Sequence, residues 1–306
     1  MTAKTNHFRT IAFFVLKAGL FVVLTFLLLK RLQSVDFSLF SWSEISFPYL
    51  FVSVLLIPFN YFFEWKKWEN ILRHLGCFQP KKAIASFASG TVSAFLTPAF
   101  SGNFLGRVWY FPARMRWKLT IHSLVSNFSQ FLTTVFFGCG ALLTLHLTNH
   151  YTFSTKHIAL AFLVLVSALF IFFFGERLAQ VIKWNRIQSA VLIVKRGPSR
   201  GKQLFFSVIR YLIYAAQFSF ALRSFGVEAG WELHLWVSLV YFVVTLTPSL
   251  FFGKIVIRES LAVSILGLAG YATVPVLFAS LFIWLINLLL PSFVAAFFVR
   301  RIQIDA

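Results

Sequence analysis

Long apolar runs, separated by short polar and basic segments, make up most of this chain. Each run is close to the length of about 20 residues that a helix needs to cross the hydrocarbon core of a bilayer. The runs are continuous, whereas the strands of an outer-membrane barrel alternate apolar and polar residues. We therefore predict an all-α, polytopic integral membrane protein with spans at residues 11–29, 47–64, 119–147, 158–175, 203–222 and 272–299.

Two further apolar segments are too short to cross a bilayer, and both end in the tripeptide Leu-Thr-Pro. The first, residues 83–97, is rich in alanine, serine and glycine, and the second covers residues 234–248. Proline ends or kinks a helix, and glycines and charged residues follow each one. We predict that each segment enters the membrane, turns and leaves on the same side, so that 83–106 and 234–269 form re-entrant helical hairpins.

The basic residues support this topology. Cytoplasmic loops of membrane proteins carry an excess of Lys and Arg. If both hairpins turn back, about twenty of the 28 Lys and Arg residues lie on one side, and both termini are cytoplasmic. The units 47–147 and 203–299 then cross the membrane in opposite directions. This arrangement is the inverted-topology repeat of many secondary transporters, inside a single membrane domain of residues 1–306.

Two stretches beside the spans, 64–79 and 176–194, are amphipathic. In the first, Trp65, Trp68 and Ile71 recur at helical spacing among charged residues. Tryptophan is enriched at the depth of the lipid headgroups. We predict that each stretch is a helix lying in the membrane interface.

The composition narrows the possible functions. Hydrophobic residues make up 59% of the 306 residues and charged residues 12%, against about 25% charged residues in soluble proteins. These values exclude a soluble enzyme or a cytosolic binding module. The net charge of +19 fits basic loops that contact anionic lipid, so we expect phospholipids and not nucleic acid as partners. Two isolated cysteines, scattered histidines and the absence of catalytic motifs predict no metal, no cofactor and no enzymatic activity.

The two hairpins carry the candidate site. Broken helices leave backbone groups that must be satisfied inside the protein or in a wet cavity, and helix N-termini attract anions. Positive side chains beside the breaks would bind the phosphate of a lipid headgroup. The predicted binding residues are Asn103, Arg107, Lys254, Arg258 and Glu259, and the predicted turns use the backbone of Pro98, Gly102, Gly106, Pro248 and Gly253.

Structural roles compete with binding for several of these residues. Arg258 and Glu259 are equally well explained as a pair that neutralises itself inside the bundle, and Arg107 as a cytoplasmic anchor. The glycines are also explained by close helix packing. Outside the hairpins, we predict that Arg210 extends to the cytoplasmic face and that Gln130 joins neighbouring helices.

The two hairpins and the six-span frame resemble a known family over residues of about 10–300. The family is the lysylphosphatidylglycerol synthase family, and the resemblance is to its flippase-like membrane region. Its first hairpin has a Gly-Glu-x-x-Arg-like string, for which this chain has Gly102-Asn103-Phe104-Leu105-Gly106-Arg107. Its second has a Pro-x-Gly-Gly-x-Gly-x-Arg-Glu-like string, for which this chain keeps Pro248, Gly253, Arg258 and Glu259.

The resemblance implies a stand-alone member without the aminoacyl-transfer domain. It implies lipid handling, in which an anionic or aminoacylated phospholipid, or another lipid-linked molecule, moves between leaflets of a bacterial inner membrane. The headgroup would bind between the two re-entrant hairpins. The alternative is a scaffold or subunit of a larger inner-membrane complex, which does not transport and has protein partners.

Overall fold

The structure is a computed structural model that describes residues 45–97, 102–181, 185–228, 230–247 and 253–304, together with Phe26, Leu29, Gln33 and Ser43. In these ranges the chain forms helices and no strand. In chain order they are α1 (Phe47–His74), α2 (Pro80–Leu96), α3 (Gly102–Val108), α4 (Ala113–Leu147), α5 (Thr155–Val181), α6 (Asn185–Lys195), α7 (Arg200–Ser224), α8 (Glu232–Leu246), α9 (Gly253–Leu268), α10 (Thr273–Trp284) and α11 (Leu290–Ile304). A π-helical segment, Leu285–Leu289, joins α10 to α11.

Five stretches of helix are long and apolar enough to cross a membrane. They are α1, α4, α7, the Thr155–Arg177 part of α5, and Thr273–Phe298, which runs from α10 through the π segment into α11. These helices confirm that the chain is an all-helical integral membrane protein, and they match five of the six predicted spans. The remaining predicted span, 11–29, lies outside the described residues.

Each short apolar segment forms a helix that packs on the next helix along the chain. We call α2 with α3 hairpin 1, and α8 with α9 hairpin 2. The open end of hairpin 1 is held together by Trp68 of α1, which packs with Ala83, Val108 and Phe111. Helices α2 and α3 therefore lie side by side, with Ala83 and Val108 near one another at the same end of the pair. At the open end of hairpin 2, Glu232 and Tyr271 lie close enough to interact electrostatically.

The first amphipathic stretch does not form the separate interfacial helix predicted for residues 64–79. Helix α1 continues unbroken through Pro58 to His74. Trp68 is fully buried, and its Nε1 donates a hydrogen bond to Ser86 Oγ at 3.0 Å. The reason is that hairpin 1 covers the end of α1, and periodicity along one helix does not reveal this partner. In the second stretch, α5 runs to Val181 and α6 begins at Asn185.

Several helices of one half of the chain pack on helices of the other half. Helix α1 packs along α7, while α4 packs on the first helix of hairpin 2 and α11 packs on the first helix of hairpin 1. The α4–α8 contact is close, because a Cβ atom on Gly138 would collide with the ring of Phe242. In the other contact, Ser292 Oγ donates to the carbonyl of Thr91 at 3.4 Å. Consequently one long helix of each half packs on the hairpin of the other half.

Candidate functional site

Helices α1 and α7 are joined by polar contacts at intervals of seven residues. In the first layer, Ser53 Oγ donates to the carbonyl of Gln217 at 2.9 Å, and Gln217 Nε2 donates back to the carbonyl of Ser53 at 3.0 Å. In the second layer, Arg210 Nε donates to Asn60 Oδ1 at 3.0 Å. The third layer joins residues 67 and 203. A seven-residue interval returns to the same helix face, so the polar residues form one continuous seam between antiparallel helices.

The centre of this seam is a carboxylate shared by two guanidinium groups. Glu64 Oε1 lies 2.7 Å from Arg107 Nη2, and Glu64 Oε2 lies 2.6 Å from Arg210 Nη1. The same Arg210 nitrogen donates to Gln130 Oε1 at 3.3 Å. The exposed fractions of the Glu64, Arg107 and Arg210 side chains are 11%, 8% and 17%. This cluster ties α1 to hairpin 1, α7 and α4.

The π segment contacts the same cluster. Asn60 Nδ2 donates to Asn287 Oδ1 at 3.4 Å, and Tyr61 OH donates to the carbonyl of Asn287 at 2.9 Å. Single π-helical turns inside α-helices are frequent at functional sites. Here both the side chain and the backbone carbonyl of Asn287, in the π segment, contact residues of α1.

A buried lysine, Lys67, lies one layer away. It is 2% exposed, and its Nζ donates to the carbonyl of Ser126 at 3.0 Å. Ser126 Oγ donates to Gln203 Oε1 at 2.8 Å, and Gln203 Nε2 donates to the carbonyl of Lys67 at 3.3 Å. In the described part of the chain, the cluster thus sets one carboxylate, Glu64, against the guanidiniums of Arg107 and Arg210. Positive charge is in excess.

A narrow recess opens beside Arg107, between hairpin 1, α1 and α4. It has room for about one water molecule. Three buried polar atoms of its lining, Asn103 Oδ1, Arg107 Nε and Ser123 Oγ, have no hydrogen-bond partner in the described structure. The recess is lined by Trp68, Ile71, Asn103, Phe104, Arg107, Ser123, Ser126 and Asn127.

Aromatic rings fix the position of the Arg107 guanidinium. Its Cζ lies 4.7 Å from the ring centroid of Phe87 and 5.5 Å from that of Trp68. A cation close to an aromatic ring is attracted by the ring quadrupole. The rings and Glu64 therefore hold the guanidinium in place, while its Nε has no hydrogen-bond partner in the described structure.

Hairpin 2 contains a second buried ion pair. Arg258 donates to Glu259 Oε1 from Nε at 3.2 Å and from Nη2 at 2.6 Å, and Nη2 also donates to the carbonyl of Ser280 at 2.5 Å. Glu259 is 2% exposed. Arg107 and Arg258 therefore have separate partners, and no bond among the described residues joins the two pairs.

Comparison with known proteins gives one match. A family model described as the lysylphosphatidylglycerol synthase TM region matches residues 11–295. The chain belongs to this family. No curated protein and no solved structure matches the chain. The match confirms the resemblance and extends over both hairpins and the recess.

The structure of this lysylphosphatidylglycerol synthase TM family member shows where most of the predicted site residues lie. Asn103 and Arg107 both line the recess. Arg258 and Glu259 form the mutual pair that the sequence left as an alternative. Pro98, Pro248 and the side chain of Lys254 lie outside the described residues, and Gly253 begins α9.

In this family member, Gly102 and Gly106 serve close packing within hairpin 1. A Cβ atom on Gly106 would lie 2.5 Å from Ser93 Oγ, and one on Gly102 would collide with the carbonyl of Ser93. The amide of Gly102 donates to Thr97 Oγ1 at 2.6 Å. The first amide of α3 is therefore already bonded, and the anion attraction predicted for this helix start is not available at that amide.

Sequence reasoning missed several residues of the cluster. Glu64 was placed in an interfacial helix, and the prediction that Arg210 extends to the cytoplasmic face is wrong. The expectation for Gln130 is confirmed, because it accepts from Arg210 and donates to the carbonyl of Ser207 at 3.4 Å. The available signal was the seven-residue recurrence of polar residues at 53, 60 and 67 and again at 203, 210 and 217.

Proposed function

We propose that this protein moves a lipid with an anionic headgroup between membrane leaflets, as a transporter and not as an enzyme. The observation that carries the proposal is the excess of positive charge in the buried cluster around Glu64. Ionisable groups inside a membrane domain are costly, and they often mark substrate pathways. The coarser conclusion, a membrane domain of a lipid-related family, follows from the family match.

The depth of the cluster supports this proposal. Arg210 is the eleventh residue of α7, about 15 Å along the helix from Arg200 at 1.5 Å per residue. The hydrocarbon core is about 30 Å thick, so Arg210 is about halfway across it if Arg200 lies at its surface. A guanidinium at that depth requires partners inside the protein, and an anionic ligand would balance the remaining positive charge.

The recess next to Arg107 is the proposed headgroup site. Its unpartnered groups include a guanidinium N–H, an amide oxygen and a hydroxyl, which together suit a phosphodiester with neighbouring hydroxyl groups. Asn127 lines the recess and is exposed on the outer face of α4, so a headgroup could enter while its acyl chains stay in lipid. The proposed site thus lies within the first half of the chain and not midway between the two hairpins.

An inverted repeat with re-entrant hairpins is the proposed architecture. The two Leu-Thr-Pro tripeptides, at 96–98 and 246–248, are 150 residues apart. The same shift relates residue 60 to 210, residue 53 to 203 and residue 67 to 217. It therefore maps the Asn60–Arg210 contact onto itself and exchanges the other two layers, as a two-fold axis through that contact would.

The hairpins support the same two-fold relation. Thr97 Oγ1 donates to the carbonyl of Ser93, and Thr247 Oγ1 donates to the carbonyl of Val243, both at 2.7 Å. Each threonine bonds four residues back at the end of the first helix of its hairpin. The proposed topology has both termini in the cytoplasm of a bacterium, because this arrangement gathers the basic loops on one side.

A reconstitution assay tests the proposal. The full chain is placed in vesicles containing a fluorescent phosphatidylglycerol, and a membrane-impermeant quencher reports lipid that moves to the outer leaflet. We expect wild type to exceed protein-free vesicles, and Arg107→Gln to lower the rate at least tenfold. Lys202→Gln, an exposed position on α7, is the matched control and should leave the rate unchanged.

Two results would contradict the proposal. Equal rates for wild type and Arg107→Gln would remove the recess from the mechanism. A wild-type rate equal to that of protein-free vesicles, with a stoichiometric protein partner in mild detergent, would favour the scaffold instead.

A further inference from the structure

We infer that Glu64 is an internal competitor for the headgroup phosphate: its carboxylate occupies Arg107 while the recess is empty, and a bound phosphodiester takes its place. This inference rests on the proposed headgroup site and concerns its regulation. It gives the Glu64–Arg107 pair a role that changes with ligand binding, in addition to holding helices together.

The geometry of the guanidinium gives the first argument. An arginine binds a phosphate or carboxylate best through two parallel N–H groups. The edge formed by Nε and Nη2 is one such pair. Arg107 Nε is buried and has no hydrogen-bond partner in the described structure, whereas Nη2 donates to Glu64 Oε1 at 2.7 Å. A phosphate that uses this edge in two-point contact must therefore take Nη2 from Glu64.

The size of the recess gives the second argument. It holds about one water molecule in this structure, which is too little for a phosphate group. Arg107 lines the recess, and its Nη2 is held by Glu64, which is not itself part of the lining. Retraction of that carboxylate would release the second donor and leave the Arg107 side chain free to shift, which would change the size of the recess.

Glu64 has a second partner, which limits the free-energy cost of breaking its bond to Arg107. Its Oε2 also accepts from Arg210 Nη1 at 2.6 Å, and Arg210 is fixed by Asn60 and Gln130. When phosphate takes Arg107, Glu64 keeps a charge-assisted partner on α7. Neither the Glu64 carboxylate nor the Arg107 guanidinium is then left buried and unpaired, which is the arrangement that destabilises a protein most.

The exchange also connects binding to movement. Arg107 belongs to α3 of hairpin 1, and Glu64 belongs to α1. While the ion pair is formed, hairpin 1 is tied to the α1–α7 seam. Once phosphate has replaced the carboxylate, that tie is lost and hairpin 1 is held to the seam only by its other contacts.

The test measures how anionic lipid stabilises the folded protein. A ligand that binds only the native state raises its melting temperature as the ligand concentration increases. Purified full-length protein is melted in nanodiscs of phosphatidylcholine with increasing phosphatidylglycerol. We expect Glu64→Gln to reach half of its maximal stabilisation at a phosphatidylglycerol fraction at least threefold lower than wild type does, because the competitor is gone.

Glu69→Gln is the matched control. Glu69 lies on the same helix and forms ion pairs with Lys66 and Arg73, and it does not line the recess. It should respond to phosphatidylglycerol as wild type does. If Glu64→Gln does not fold, the double variant Glu64→Gln/Arg210→Gln also releases Arg107 and removes the second guanidinium, and the same threefold shift is expected.

The outcomes separate the inference from the proposed function. If wild type and Glu64→Gln respond equally to phosphatidylglycerol, or if Glu64→Gln is less stable by the same amount in both lipids, the competition is refuted and the headgroup site stands. If neither responds, both ideas fail. Soluble glycerol phosphate is the last arm: an equal shift would support the competition but assign the site to a free phosphate ester instead of a lipid.

Discussion

Arg210 is a charged residue of the membrane-spanning helix α7, and its side chain lies inside the protein and not at the protein surface. Its guanidinium donates to Asn60, Glu64 and Gln130, which come from two other helices. A planar guanidinium can serve three acceptors at fixed angles, whereas a lysine amine presents one compact charge. The geometry of the acceptors, and not only the charge, therefore selects arginine at this position.

The first residue-scale prediction concerns Arg210→Lys. The variant keeps the charge but loses at least one of the three contacts, so we expect a loss of about 1–3 kcal/mol in the free energy of unfolding. Thermal and denaturant unfolding in detergent measure the change. Lys202→Arg, an exposed substitution on the same helix, should have no measurable effect. Equal stability of Arg210→Lys and wild type would mean that the contacts are not energetically important.

At the scale of elements, hairpin 1 is stabilised by small residues that allow two helices to come into close contact. Gly90 faces Arg107 and the carbonyl of Asn103, while Gly106 faces Ser89 and Ser93. Helix association in membranes relies on such close packing, because lipid is as apolar as the side chains. The packing brings α3 close enough to place Arg107 on the polar seam.

A glycine substitution tests the packing of hairpin 1. Gly106→Ala places a Cβ atom 2.5 Å from Ser93 Oγ and 2.7 Å from the backbone oxygen of Ser89, and the backbone atom cannot move away easily. We expect a loss of about 1–3 kcal/mol from overpacking and a decrease in lipid transport. Gly140→Ala is the control, since nothing lies within 4 Å of that position. A Gly106→Ala protein as stable as Gly140→Ala would refute close packing.

The π segment is an element that the sequence did not predict. Residues 285–289 are as apolar as their neighbours apart from Asn287, and the sequence pattern is continuous through them. The structure places Asn287 against Asn60 and Tyr61. The π-helical turn could therefore not be predicted from the sequence, because only the structure shows the contacts of Asn287 with α1.

At the scale of the whole molecule, the two hairpins open at different places. Hairpin 1 opens beside residues 80–83 and 108–111, and hairpin 2 opens beside Glu232 and Tyr271. If the proposed topology holds, these two openings face opposite sides of the membrane.

Cysteine labelling tests this topology. Single cysteines are introduced in a background without Cys77 and Cys139, at the exposed positions Lys81, Arg114, Glu228 and Ala272. A membrane-impermeant thiol reagent should label positions 81 and 114 only from the cytoplasmic side, and positions 228 and 272 only from the opposite side. Labelling of 81 and 114 from different sides would mean that residues 83–106 cross the membrane.

Much of the fold follows from local properties of the sequence. Hydropathy predicted five of the described spans, and the two Leu-Thr-Pro tripeptides indicated where the short helices of both hairpins end. Asn103 and Arg107 line the same recess because they lie four residues apart on a short helix, and their role in binding stays a prediction. Prediction failed for Glu64, Trp68 and Arg210, whose surroundings are built by other helices.

The sequence by itself determined that the chain is an integral membrane protein of helices, since apolar length and proline breaks are properties of each segment alone. Only the tertiary structure decided which charges meet. Glu64 joins Arg107, 43 residues away, and Arg210, 146 residues away. Such pairing depends on the register between antiparallel helices and on the packing of hairpin 1 beside them, and no single segment encodes either.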